Sequence, residues 1–194
     1  MLVEPVGTAV EPVSLGELKA YLRLDTPDED AVLAGLLRSA RGLCEAFTGT
    51  WLIERGAVET VAAKMTVWTG PGAAPRGLVQ GVRLAAAPVA AIAMIEALYA
   101  DGTSAVLTPA QYVASYEDDG AARVATTDAN AQRLRVTYTA GLSASWNGVA
   151  EPLRQGIVRL AAHLFANRDA ADEAGPPAVV AALWRPFRRV RLGS

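Results

Sequence analysis

Two capping boxes in close succession constrain this chain more than any other feature. Ser14-Leu15-Gly16-Glu17 sets a hydroxyl where it can accept the Glu17 backbone N–H, and the Glu17 carboxylate can reach back. Val13 and Leu18 stand at the hydrophobic staple positions around it. Thr26-Pro27-Asp28-Glu29 repeats the pattern, with proline at the first helical position and acids in the first turn. After the first box, Leu15, Leu18, Tyr21 and Leu22 recur at helical spacing and predict a short helix over about 14–24. After the second, Leu33, Leu36, Leu37, Ala40, Cys44 and Phe47 form one stripe. Arg38, Arg41 and Glu45 lie off it, and Gly49 is a natural stop, so a helix is predicted over 27–48.

The periodicity then changes. Residues 51–142 read as a β-rich stretch. Strand signals fall at Val58, Val61, Val67 and Trp68, at 82–85, at 92–99 and at 134–139. Gly- and Pro-rich clusters at 69–72 and 74–77 are loops. Asp101-Gly102 predicts a hairpin, and Asp118-Asp119-Gly120 another turn. Helix returns near Glu151-Pro152, where Leu153, Ile157, Leu160, Ala161 and Leu164 make a stripe that predicts a helix over 151–168. Residues 179–184 offer two further helical turns, closed by Pro186. The order argues an α+β fold: N- and C-terminal helices packed as a small bundle beside a small antiparallel sheet region, with an extended C-terminal arm. A domain over 1–175 followed by an arm over 176–194 is the expected division, which suits a chain of 194 residues.

Charge is arranged rather than absent. The net charge is −2. Residues 1–60 hold ten acids against five bases, and residues 61–184 ten against nine. Residues 185–194 hold four arginines and no acid. An acidic body with a short basic tail excludes a generally basic nucleic-acid binder. Hydrophobic residues make up 52%, which excludes a disordered chain. The N-terminal stretch lacks the basic start of a signal peptide, and the longest uncharged apolar run, 84–95, contains Pro88 and is too short to span a bilayer. The expectation is a soluble chain made in the cytoplasm.

Catalytic chemistry finds little to use. His163 is the only histidine and Cys44 the only cysteine, so a His-based triad or a His/Cys metal cluster has no second member. His163 lies mid-helix and reads as a partly buried structural residue. Asp28-Glu29-Asp30 reads as charge compensation at a helix start, and Glu117-Asp118-Asp119 as a solvated turn. No phosphate-cradling Gly-rich motif with Lys is present. Trp51, Trp68, Trp146 and Trp184 are scattered and make no stacking platform for nucleic acid. Neither an enzymatic activity nor a cofactor is expected.

The tail is left over. Trp184, Phe187, Val190 and Leu192 are interleaved with Arg185, Arg188, Arg189 and Arg191. A purely solubilising tail has no use for four apolar residues, whereas aromatics and arginines are favoured interface anchors. These eight residues are the candidate docking site for a partner.

Several segments, taken in order, carry a family resemblance. VSLGELKAYLRLD at 13–25 followed by Asp28-Glu29-Asp30 resembles the opening of the head–tail connector (adaptor) proteins of long-tailed bacteriophages and gene transfer agents. ARGLCEAFTG at 40–49 is similar to the family's second-helix ending. Residues 84–92 with Pro88-Val89, then Asp101-Gly102 and Tyr112, resemble its central sheet. VTYTAG at 136–141 followed by Pro152 resembles its strand-to-helix junction, and Pro176-Pro177 through the Arg-rich end its C-terminal arm. Residues 121–133 match least.

The resemblance implies a structural protein without catalysis, in the neck of a virion or gene transfer agent particle and synthesised in a bacterial cytoplasm. Such adaptors form a ring, commonly of twelve copies, beneath the portal. The ring extends the DNA channel and gives the tail a platform. The implied partners are the portal, neighbouring adaptor subunits, a tail-side stopper or terminator protein, and DNA passing without specific binding; no membrane is involved. Portal engagement falls on Trp184, Arg185, Phe187, Arg188, Arg189, Val190, Arg191 and Leu192. An acidic body suits a lumen wall that repels phosphate. The competing reading is a non-viral partner-binding module whose basic tail grips an acidic protein or DNA.

Overall fold

The computed structural model describes residues 3–6, 13–63, 81–167 and 175–189. The architecture is α+β, with four α-helices and antiparallel sheets of five and three strands. The chain forms two compact units. One comprises Met1–Thr8 and Glu54–Gly141, the other Ala9–Ile53 and Leu142–Ser194. Among the described residues no helix is long and apolar enough to cross a membrane.

The second unit is helical: α1 (Leu15–Leu22), α2 (Asp30–Thr48), α3 (Glu151–Ala166) and α4 (Ala178–Trp184). The first capping box forms as the sequence requires. The Glu17 N–H donates to Ser14 Oγ at 3.1 Å, and the Ser14 N–H donates to Glu17 Oε2 at 3.3 Å. Val13 and Leu18, the staple pair, are both buried. The second box does not form. Helix α2 begins at Asp30, three residues after the expected start, and its N-cap Glu29 makes no side-chain cap. Lys19 explains the difference. Its ammonium donates to the Thr26 carbonyl at 2.8 Å and pairs with the Asp30 carboxylate at 2.6 Å, which holds 26–30 as a turn. A cation that satisfies a carbonyl and a carboxylate together outcompetes a neutral hydroxyl cap.

Helix α3 takes the most buried position. Leu153, Gly156, Ile157, Val158, Leu160, Ala161 and Ala162 are all buried, so its apolar face is wider than a single stripe. Leu33, Leu37, Ala40 and Cys44 of α2 join Leu153, Ile157, Leu160 and Ala161 in one core, with Val180 and Trp184 of α4. Each fully buried leucine or isoleucine contributes about 1.5–3 kcal/mol. Helix α2 ends as expected at Gly49, which sits at φ 70° and whose N–H donates to the Glu45 carbonyl.

The first unit holds β1 (Val3–Val6), β2 (Arg55–Ala62), β3 (Val82–Arg83), β4 (Val89–Leu98), β5 (Ser104–Val106), β6 (Tyr112–Tyr116), β7 (Ala122–Thr126) and β8 (Arg133–Ala140). The larger sheet runs β1-β2-β8-β4-β5 and the smaller β3-β7-β6. The Asp101-Gly102 turn joins β4 to β5, and Thr103 donates to Asp101 Oδ1 through both its N–H (2.9 Å) and its hydroxyl (2.7 Å). The Asp118–Gly120 turn joins β6 to β7, with Gly120 at φ 77°. Glu117 and Asp119 of that turn pair with Arg83, and Glu117 also with Arg123. The second acidic triplet is thus tied into the small sheet rather than merely solvated. Strand β3 covers only two of the four residues expected, and Val67 and Trp68 lie outside the described residues.

Period-two burial organises the larger sheet. Ala57, Glu59 and Val61 of β2 point inward opposite Tyr138, Val136 and Leu134 of β8. Glu59 is therefore a carboxylate fixed at an inward register position, with no exposed surface. Its Oε2 accepts from the Tyr138 hydroxyl at 2.8 Å and from the Ala85 N–H at 2.9 Å. Tyr138 Oη in turn accepts the Ala86 N–H at 3.2 Å. The trio pins the 85–86 backbone to the sheet. Burial, and then the charge and hydrogen bond of Glu59, push the Tyr138 phenol above its ordinary range.

Candidate functional site

The C-terminal residues picked out by their Arg–aromatic interleaving separate into two groups. Val190, Arg191 and Leu192 lie outside the described residues. The other five lie at the end of the helical unit, and they do not behave alike.

Trp184, one of the eight candidate docking residues, is a core residue of the helical unit. It is the last residue of α4 and has no exposed surface. Its indole N–H points at the Leu153 carbonyl at 3.4 Å, and its ring meets that of Phe47 at 5.9 Å between centroids. Gly156 makes the seat. A Cβ there would stand 2.7 Å from Trp184 Cε2 and 2.8 Å from Cδ1, and closer still to Nε1. Helix α4 is correspondingly part of the compact helical unit. The physical reason is area: an indole between two helices buries more apolar surface than almost any other side chain, and only its N–H needs a partner.

Past Trp184 the chain makes one 3₁₀ turn, Arg185–Phe187, with Pro186 inside it. Phe187 is half-buried against the helical core. Arg188 lies over the Phe47 ring, its guanidinium carbon 5.8 Å from the centroid. The Arg189 N–H donates to the Thr48 carbonyl at 2.9 Å. Thr48 is one of the last residues of α2, so the bond satisfies a carbonyl that the helix leaves open. The segment 185–189 therefore runs across the C-terminal end of α2, where the helix dipole favours positive charge. Arg185 and Arg188 are exposed. What the geometry builds is a rooted basic knuckle: Trp184 and Phe187 turn in, Arg185 and Arg188 are exposed, and Arg189 is half-buried.

Three other residues that the sequence offers for chemistry have structural surroundings. Asp30 is paired with Lys19. The Nδ1 of His163 lies 3.2 Å from the side-chain amide of Asn167, one turn along α3. Cys44 is buried, and burial, with a smaller contribution from Glu45, pushes its thiol above the ordinary range. Among the described residues no group of three or more His, Cys, Asp or Glu side chains is placed to hold a metal ion.

The sequence reading missed two features. The first is Glu59, whose signal was parity: it shares its register with Ala57 and Val61, so the strand must bury it. The second is α4 as an anchor. The Gly156 gap opposite an apolar-flanked tryptophan could not be inferred without knowing which helices meet.

The chain matches no known family profile and no curated protein. Solved structures do match. A chain in the virion of a native gene transfer agent particle superposes with a TM-score of 0.74 at 27% identity, over 99% of this chain and 97% of that one. One in the neck of an empty gene transfer agent particle, computed with C6 symmetry, gives 0.73 at 26%, with the same coverage. Another in the neck of a native particle, computed with C12 symmetry, gives 0.69 at 26%, again over 99% and 97%. The resemblance drawn from the sequence stands: over nearly its whole length the chain is similar to neck and virion chains of gene transfer agent particles, consistent with the head–tail connector family.

Proposed function

We propose that this chain is a structural, non-enzymatic component of the neck of a gene transfer agent or phage particle, one protomer of an adaptor ring beneath the portal. The observation that carries the reading is end-to-end similarity, in fold and in about a quarter of residues, to chains from particle necks of cyclic symmetry. In this reading copies of the chain close into a ring, commonly twelve, around the DNA path and offer their far side to a stopper or tail-terminator protein. DNA passes without specific binding, which suits the acidic balance of residues 1–60.

The C-terminal segment 185–194 is assigned to portal docking. Trp184 and Phe187 root it, and Val190, Arg191 and Leu192, beyond that root, are its contact residues. An arm whose root is already buried loses less conformational freedom on docking than a wholly free tail.

Deletion of 190–194 tests the assignment, because it leaves Trp184, Phe187 and the Arg189–Thr48 bond in place. The expected result is an unchanged helical signal and loss of co-sedimentation with purified portal. Full portal binding by the truncated chain would refute the docking role. For the neck reading, particles lacking the protein should show filled heads without tails by negative-stain imaging; tailed particles would refute it.

A further inference from the structure

Three surface features of the helical unit stand together. Helix α2 keeps an outward strip without charge. Val32 and Leu43 are 43% and 42% exposed and lie roughly three turns apart on one line of the helix. Ser39, Gly42 and Ala46 flank that line and are also exposed. Of the charged residues of the helix, Asp30 is paired with Lys19, and Arg38, Arg41 and Glu45 fall on its other flank. Helix α4 has an uncharged outward face too, formed by Ala178, Val179 (54% exposed) and Ala182, while Val180 and Trp184 turn in. Both helices pack on α3 and meet each other around Phe47 and Trp184.

The third feature is charge at the ends of these faces. Asp25 and Asp28, just ahead of α2, are exposed; so are Arg185 and Arg188, just behind α4. None of the four makes an ion pair among the described residues. The arginines lie at the C-terminal end of α2 and the acids at its N-terminal end. A helix of 19 residues separates them by about 28 Å. They cannot meet within one chain, but they can meet between copies.

We infer that the uncharged face of α2 receives α4 of a second copy, with Arg185 and Arg188 of that copy set against Asp25 and Asp28. The inference rests on the ring reading above. It divides the C-terminal segment, giving its root to a neighbouring copy and leaving 190–194 for the portal. Each copy uses a different surface on its two sides, and such heterologous contacts propagate until a ring closes. The apolar strips supply the burial. The rim charges fix orientation and oppose the inverted arrangement, in which arginine would face arginine.

Sedimentation velocity of the full chain over a concentration series, in low and high salt and with no portal present, tests this. The chain should associate, less so in high salt. Asp25→Arg with Asp28→Arg should lower the apparent association constant about tenfold or more, and so should Arg185→Asp with Arg188→Asp. The fourfold variant, with both sets reversed, should recover it. Gly42→Glu and Val179→Glu should each abolish association with far-UV circular dichroism unchanged. A chain monomeric at every concentration overturns the inference. So does association that stops at a dimer, indifference to the charge reversals, or failure of the fourfold variant to recover. Because no portal enters these experiments, a failed portal-docking assignment leaves their outcome untouched.

Discussion

The same substitution, glycine to alanine, should have opposite effects at two helical positions. In Gly42→Ala the new methyl meets nothing within 4 Å, so only backbone propensity changes. Alanine is favoured over glycine in a helix interior by about 0.8–1 kcal/mol, and Gly42→Ala should stabilise the chain by that amount. In Gly156→Ala the same gain is available, but the methyl lands 2.7–2.8 Å from two atoms of the Trp184 ring and closer to its Nε1. Unstrained carbon contacts need about 3.5–4.0 Å, so the ring must retreat by nearly an ångström or more. If Trp184 stays, overpacking costs about 1–3 kcal/mol. If it is expelled, the loss approaches the 3–5 kcal/mol typical of a Trp→Ala truncation. After the propensity gain of about 1 kcal/mol, the net destabilisation is about 0–2 kcal/mol if the ring stays and about 2–4 kcal/mol if it is expelled. Urea unfolding followed at 222 nm should show the midpoint rising for Gly42→Ala and falling for Gly156→Ala. Combining Gly156→Ala with Trp184→Phe should destabilise by less than the sum of the two single changes, because the smaller ring frees the space the methyl needs. A Gly156→Ala midpoint at or above wild type would refute the seat, and with it the placement of Trp184 in the core.

Three further outcomes follow from the same structure. Ser14→Ala removes the cap that accepts the Glu17 N–H and should cost about 1 kcal/mol in unfolding free energy, whereas Thr26→Ala, whose hydroxyl caps nothing, should leave the midpoint unmoved. Tyr138 and Cys44 both hold their protons in the folded state to higher pH than in the unfolded chain. Their contribution is thus complete below the unfolded values of about 8.5 (Cys) and 10 (Tyr) and is lost as pH rises above them, so stability should fall from pH 8 to 11, and less steeply in Tyr138→Phe. That variant also withdraws a donor from buried Glu59 and should cost about 1–3 kcal/mol at neutral pH, read from the urea midpoint. Finally, alkylation of Cys44 by iodoacetamide should be negligible in the folded chain and complete in urea; rapid labelling of native protein would contradict its burial.

Much of the fold is legible in local chemistry. The Ser14 box, the α2 stripe, the Gly49 stop and the Asp101-Gly102 hairpin each rest on residues a few positions apart, and each forms. The Thr26 box failed for a tertiary reason: Lys19 reaches across from α1 and takes the Thr26 carbonyl and the Asp30 carboxylate. Strands β6 and β7 were harder to foresee. Their alanines and serine carry little β-propensity, and what makes them strands is pairing with each other and with β3. At the candidate site the arginines were legible as a charge run, but the role of Trp184 was not. In sequence Trp184 stands among the tail's aromatics; in space it belongs to the core.

The sequence alone determined the order of elements and the separation of an acidic body from a basic end, because helix caps, turns and charge act over a few residues. It also carried the family resemblance with which the similarity to solved neck chains agrees. Tertiary structure decided which polar and aromatic residues are buried. Glu59 is inside because a strand register has no choice of face, and Trp184 is inside because Gly156 on another helix leaves room for it. Complementarity between distant residues is a property of the packed chain. No window of neighbours contains it, and that is why the root of the C-terminal segment could be located only in three dimensions.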